Sequence, residues 1–112
     1  MPDIEQLLVA YDGTPLAEKA LELGGPRPQI LDTLGWAHCL SGNHQEAVKY
    51  LERARDGLPQ LPDIRYHLGV AYRRAGQTDR AAAELRQALN ISSTFSHAQE
   101  ARRLLNSLQS PQ

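Results

Sequence analysis

One cysteine, Cys39, is all the chain contains, so no internal disulfide can staple it. No apolar run approaches the roughly 20 residues that a membrane span needs. The opening Met1-Pro2-Asp3-Ile4-Glu5 has neither the basic start nor the long apolar stretch of a secretion signal. Charge of neither sign is in excess. With 12 basic and 13 acidic residues the net charge is −1, which lacks the electrostatic footprint of a nucleic-acid or anionic-membrane binder. No stretch keeps up a polar–apolar alternation, so no sheet is expected. Gly24-Gly25-Pro26 reads as a helix stop rather than a phosphate cradle. Among Cys39, His38, His44, His67 and His97 no pair has zinc-finger spacing, so no metal and no cofactor are expected. A Cys–His nucleophile would also need an orienting third group and an oxyanion site, and nothing in the pattern supplies them. The expectation is that the chain is not an enzyme.

What is present is ordinary for one globular domain spanning 1–112: 41% apolar residues and 22% charged. A chain of this length buries roughly 60–70% of its unfolded surface, enough for a core without covalent help. The informative feature is internal. Leu34-Gly35-Trp36-Ala37 returns as Leu68-Gly69-Val70-Ala71, 34 residues on. At the same offset Gly42 pairs with Gly76, Ala47 with Ala81, Leu51 with Leu85 and Ala54 with Ala88. A fixed period of this size marks stacked helical repeats.

Apolar residues at helical spacing place the elements. Short helices are expected at 3–11 and 15–23, the second capped by Thr14 with Pro15 in its first turn. A helix then runs from Pro28 to Leu40, with Ile30, Leu31, Leu34, Ala37 and His38 on one stripe. Ser41-Gly42-Asn43 turns the chain, and Asn43 with Glu46 has the spacing of a capping box. The next helix, His44 to Asp56, turns Ala47, Val48, Leu51 and Ala54 inward. A second pair follows at about Asp63–Ala75 and Asp79–Asn90, and a last helix at about Ser96–Leu108. Gly35 and Gly69 lie where the two helices of a pair cross, opposite Ala47 and Ala81, so small residues let the backbones approach.

These residues resemble the tetratricopeptide repeat. Counted from Pro28, the family's large, leucine, small, aromatic, alanine, large, alanine and proline positions fall on Leu31, Leu34, Gly35, His38, Ala47, Leu51, Ala54 and Pro59. Counted from Pro62, they fall on Arg65, Leu68, Gly69, Tyr72, Ala81, Leu85, Ala88 and Ser93, so His38, Arg65 and Ser93 depart from the pattern. The resemblance implies an all-α superhelix, a solenoid of antiparallel helix pairs with six to seven helices. Its expected units are a partial repeat at 3–27, repeats at 28–61 and 62–95, and a C-terminal capping helix at 96–109. A narrower likeness, carried by Ala17–Leu23, Leu31–Trp36 and Ile64–Ala71, is to the C-terminal repeats of bacterial exopolysaccharide- and exosortase-associated repeat proteins. The compartment expected is cytoplasmic if the chain is complete, and periplasmic or envelope-associated if it is a piece of an exported protein.

For function, the resemblance implies a non-catalytic protein–protein interaction module. It would hold a peptide or partner helix in the concave groove of the first helices of each repeat. The groove residues implied are Gln29, Asp32 and Trp36, then Tyr66, Val70, Arg73 and Arg74, then Gln99, Arg102 and Asn106. Trp36 and Tyr66 are the expected anchors, since large aromatics carry interfaces; the competing reading is that Trp36 packs on the neighbouring helix and stiffens the stack. The arginines would form a basic lip for carboxylates. Nucleic acid and membrane are not expected as partners. The alternative is a structural segment of a larger repeat protein, or a scaffold that self-associates into a homodimer.

Overall fold

The computed structural model describes residues 27–109, and these form five helices with no strand among them. They are α1 (Pro28–Leu40), α2 (His44–Gly57), α3 (Pro62–Arg74), α4 (Thr78–Ile91) and α5 (Ala98–Gln109). The expected helices at 3–11 and 15–23, and all but Arg27 of the expected partial repeat, lie outside the described residues.

Local chemistry sets the boundaries. α1 and α3 each begin on a proline, Pro28 and Pro62, whose fixed φ suits the first turn and whose missing N–H costs nothing there. Both end in the same way. Asn43 N–H donates to the His38 carbonyl at 2.8 Å and Gly42 N–H to that of Cys39 at 3.2 Å. One repeat on, Gln77 N–H donates to Tyr72 at 2.8 Å and Gly76 N–H to Arg73 at 3.0 Å. This pair of closures demands a left-handed residue between helix and turn, and Gly42 (φ 88°) and Gly76 (φ 82°) supply it. The capping box does not form: Asn43 makes no side-chain cap to α2. Its amide instead lies 3.3 Å from His38 Nδ1, while Glu46 pairs with Lys49 at 3.7 Å on the exposed face. Because the doubled closure already fixes the turn, the Asn43 side chain is drawn back to α1.

Packing follows the chain. α1 lies on α2, α3 on α4, α2 on α3, α4 on α5, and α1 also touches α3. At the crossings the glycines have no room to spare. A Cβ on Gly35 would sit 2.6 Å from Leu51 Cγ, and one on Gly69 2.9 Å from Leu85 Cγ. α2 runs one residue past the expected Asp56 to Gly57, and Pro28 presses to within 2.5 Å of where the Cβ of Gly57 would be. The core is Leu34, Leu51, Ile64, Leu68 and Leu85, all fully buried, with the alanines between them. Ile30, expected on the inward stripe, is only half-buried, as are Leu89, Leu104, Leu105 and Leu108.

Arg65, the departure from the repeat pattern, has a partner. Its Nε donates to the Pro59 carbonyl at 2.9 Å, and its Nη1 reaches both oxygens of Glu84, at 2.8 and 3.2 Å. Glu84 is 5% exposed, and Arg55 stands 3.5 Å from its other side. The same repeat positions in the first pair hold Leu31 and Tyr50, which meet in an apolar cluster with Ala54 and Ile64. One position pair is thus apolar in one repeat and ionic in the next. Nearby, the Tyr72 hydroxyl donates to Glu52 of α2.

Candidate functional site

The first helices of the two pairs, α1 and α3, together with the approach to α5, carry a run of flat rings. Trp36 on α1 stacks on His67 of α3, centroids 4.3 Å apart and planes within 27°. Tyr66 stacks on His97, just before α5, at 4.7 Å and 7°. His67 joins the two pairs, 5.9 Å from Tyr66 and 6.1 Å from His97, and Phe95 closes the run edge-on to Tyr66 at 6.4 Å. His67 is buried; Trp36, Tyr66, His97 and Phe95 are half-buried and keep part of each ring toward solvent.

A polar contact orients the centre of this stripe. His67 Nδ1 lies 2.8 Å from Asp32 Oδ1. A carboxylate only accepts, so the facing ring nitrogen carries the hydrogen. Asp32 therefore sets the plane of His67, and His67 sets the surface on which Trp36 rests. The Tyr66 hydroxyl is held protonated above its ordinary range by burial first, then by the nearby Glu100 carboxylate, with Arg74 opposing.

The groove residues expected from sequence divide. Asp32, Trp36 and Tyr66 come together in the stripe. Val70 does not reach the surface: at 7% exposure its short side chain ends in the core cluster with Cys39, on which Trp36 packs. Gln29 is exposed but stands apart, beside Leu58, Pro59, Gln60 and Leu61 on a hollow of about 450 Å³. Arg74 is tied to α1, its Nη1 donating to the Cys39 carbonyl at 3.1 Å, and Arg102 to the linker, donating to Ser93 O at 3.0 Å. Arg73, Gln99 and Asn106 are exposed on their helices. The stripe's other members, His67, His97 and Phe95, were not legible as groove residues. His67 directly follows Tyr66, a helical offset that usually turns a side chain away, and Phe95 and His97 lie in the linker, where no periodicity applies.

Cys39 is fully buried. Burial pushes its thiol above the ordinary 9.0, against the opposing pull of Arg74. A raised pKa contributes stability that is present below pH 9.0 and lost as the pH climbs through the folded value. At neutral pH a maleimide is expected to label native Cys39 about 100-fold more slowly than the urea-unfolded chain; equal rates would contradict the burial. Among the described residues no three His, Cys, Asp or Glu side chains are grouped to hold a metal, and no helix is long and apolar enough to cross a membrane.

Helix pairs that close on a left-handed glycine, cross at a second glycine and stack on one another define a helical-repeat solenoid. A family model for the tetratricopeptide repeat matches residues 40–105, and the chain belongs to that family. Seventeen solved chains match it in structure. One, a mutant O-GlcNAc transferase of Thermobaculum terrenum, superposes with a TM-score of 0.77 at 20% identity over 96% of this chain. The chain spans 23% of that transferase's length, so the likeness speaks to fold. No curated protein sequence matches the chain. Tetratricopeptide repeats generally mediate protein–protein interactions and are generally non-catalytic.

Proposed function

We propose that the chain is a non-catalytic binding module that takes a peptide or a partner's helix on the face built by α1, α3 and α5. The observation that carries this reading is the ring stripe. The chain has one tryptophan and one phenylalanine, and both stand on this face, half-exposed, in line with Tyr66. Trp36 and Tyr66 pack against the core and still leave part of their surface exposed. Rings held rigid in this way are suited to anchor a partner, because little side-chain freedom is lost on contact. Trp36 both packs on α3 and offers its remaining surface, and the two roles reinforce each other. In this reading the units are repeats at 28–61 and 62–95, closed by the helix at 96–109.

Selection of binders from a random peptide library, displayed against the whole chain, tests this. The peptides recovered are expected to lose about tenfold or more in affinity for Trp36→Ala or Tyr66→Ala. They are expected to keep full affinity for Arg86→Ala, an exposed position on α4. Binders indifferent to Trp36 and Tyr66 but sensitive to Arg86 would place the site on the opposite side.

The alternative, an assembly segment that self-associates, has support in α5, whose Leu104, Leu105 and Leu108 are half-buried. Sedimentation across a range of concentrations separates the two, since a concentration-independent monomer removes self-association.

A further inference from the structure

We propose that Leu40 is a further anchor of the binding face, and that the partner brings a large apolar side chain to seat on Leu40 and Trp36 together. This rests on the reading of the ring face as the binding face. It adds a residue outside the ring stripe and names the chemistry of the group that meets it.

Among the described residues two large apolar side chains are exposed, Leu40 at 41% and Leu61 at 38%. A single exposed leucine needs no explanation on a protein surface. Leu40 does not stand singly. It follows Trp36 by four residues on α1, and side chains at that offset share a helix face with Cβ atoms about 5–6 Å apart. Trp36 is half-buried and keeps part of its ring toward solvent. Leucine and tryptophan one turn apart make an apolar row along α1.

The fold does not ask for leucine at this position. One repeat on, the same place holds Arg74, and α3 closes on Gly76 with the same pair of backbone bonds that α1 makes around Gly42. A charged residue serves the helix end equally well. Arg74 also joins the Leu40 end of α1 to the ring stripe. Its Nη1 donates to the carbonyl of Cys39, the residue before Leu40, at 3.1 Å, and its charge acts on the Tyr66 hydroxyl.

The chemistry of the row selects what covers it. Leucine has no donor or acceptor, and tryptophan has one donor, its indole N–H. A polar side chain laid on Leu40 would give up water without a hydrogen bond in return. An apolar one removes both surfaces from water at no such cost. Leu61, the other exposed leucine, lies away from the row. It lines the hollow with Gln29, Leu58 and Pro59, near the start of α1, whereas Leu40 is the last residue of that helix.

The test uses peptides selected from a random library on the whole chain, titrated against Leu40→Ala, Leu40→Met, Leu61→Ala and Trp36→Ala. Leu40→Ala is expected to weaken binding about fivefold or more. Leu40→Met, apolar and of similar volume, should stay within about twofold of the parent, and Leu61→Ala should match it. Alanine favours the helix, and circular dichroism checks that each variant keeps its helicity. Each large apolar residue of the peptide is then replaced by alanine. One such change should weaken binding to the parent chain about fivefold or more and to Leu40→Ala by no more than about twofold, the coupling expected of two side chains in contact. Loss in Trp36→Ala with no loss in Leu40→Ala, or no peptide residue coupled to Leu40, would overturn the proposal and leave the ring face as the binding face. Loss in Leu40→Ala without loss in Trp36→Ala would overturn the shared seat. Binders indifferent to Leu40, Trp36 and Tyr66 alike would overturn both readings.

Discussion

Gly69→Leu is expected to destabilise the chain by about 3 kcal/mol, at or beyond the upper end of ordinary overpacking. The reason is geometric. A Cβ at this position alone meets Leu85 Cγ and Cδ2 at 2.9 Å and comes within 3.4 Å of the Ala81 carbonyl. Leu85 is itself fully buried, and the Ala81 backbone belongs to α4, so neither can step aside without parting the helices. Leucine has better helix propensity than glycine, worth about 0.8 kcal/mol in its favour. That gain is several-fold smaller than the clash, so the sign is fixed. For a domain of this size the melting temperature should fall by about 10 °C or more. Ala83→Leu, at an exposed site on the same α4, serves as control and should change the midpoint little. An unchanged melting temperature for Gly69→Leu would mean that α3 and α4 do not cross at this glycine.

The second large effect is expected at the ionic pair that replaces Leu31 and Tyr50 in the second repeat. Arg65→Leu strands Glu84, which is 5% exposed and retains only Arg55 at 3.5 Å. Breaking a buried pair by removing one partner costs about 3–5 kcal/mol, because the remaining charge is left unpaired. Arg55 offsets part of this, so a loss of about 2–3 kcal/mol is expected. The double change Arg65→Leu with Glu84→Tyr installs the pair that the first repeat already uses. It should recover most of that loss, since replacing both partners by packed apolar groups is often neutral or better. Chemical denaturation of the four proteins in a double-mutant cycle measures this directly. A double variant as unstable as Arg65→Leu would show that the two repeats are not interchangeable at this position.

Much of the fold was readable from local signals, and the reasons differ by residue. Pro28 and Leu40 bound α1 as expected, because a proline start and a glycine just past the end act within one turn of the chain. Gly35 and Gly69 were readable as crossing points because their partners, Ala47 and Ala81, recur at the same repeat offset. Asn43 was misread because two backbone bonds around Gly42 had already settled the turn that a side-chain cap would have served. Helical periodicity alone gives no reason for Glu84 to be buried. Its burial depends on Arg65, 19 residues away, and on α2 supplying Arg55, which no helical periodicity encodes.

The site was legible only in part for the same reason. Trp36 and Tyr66 carry the family's groove spacing, and both stand in the stripe. Val70 shares the repeat position of Trp36 yet lies in the core, because a valine is too short to emerge from the contact between α1 and α3. His67 enters the stripe through the offset between neighbouring helices, which brings it under Trp36 and beside Asp32. That offset is a property of the stack and is not written in any one repeat.

The central claim is that partners dock on the ring face of α1, α3 and α5. A map of backbone amide shifts during titration with a library-selected peptide tests it most directly. The perturbations are expected to centre on Asp32, Trp36, Tyr66, His67 and His97, and to spread toward Arg74 and Arg102. Perturbations centred on α2 and α4, with Trp36 and Tyr66 unmoved, would contradict it.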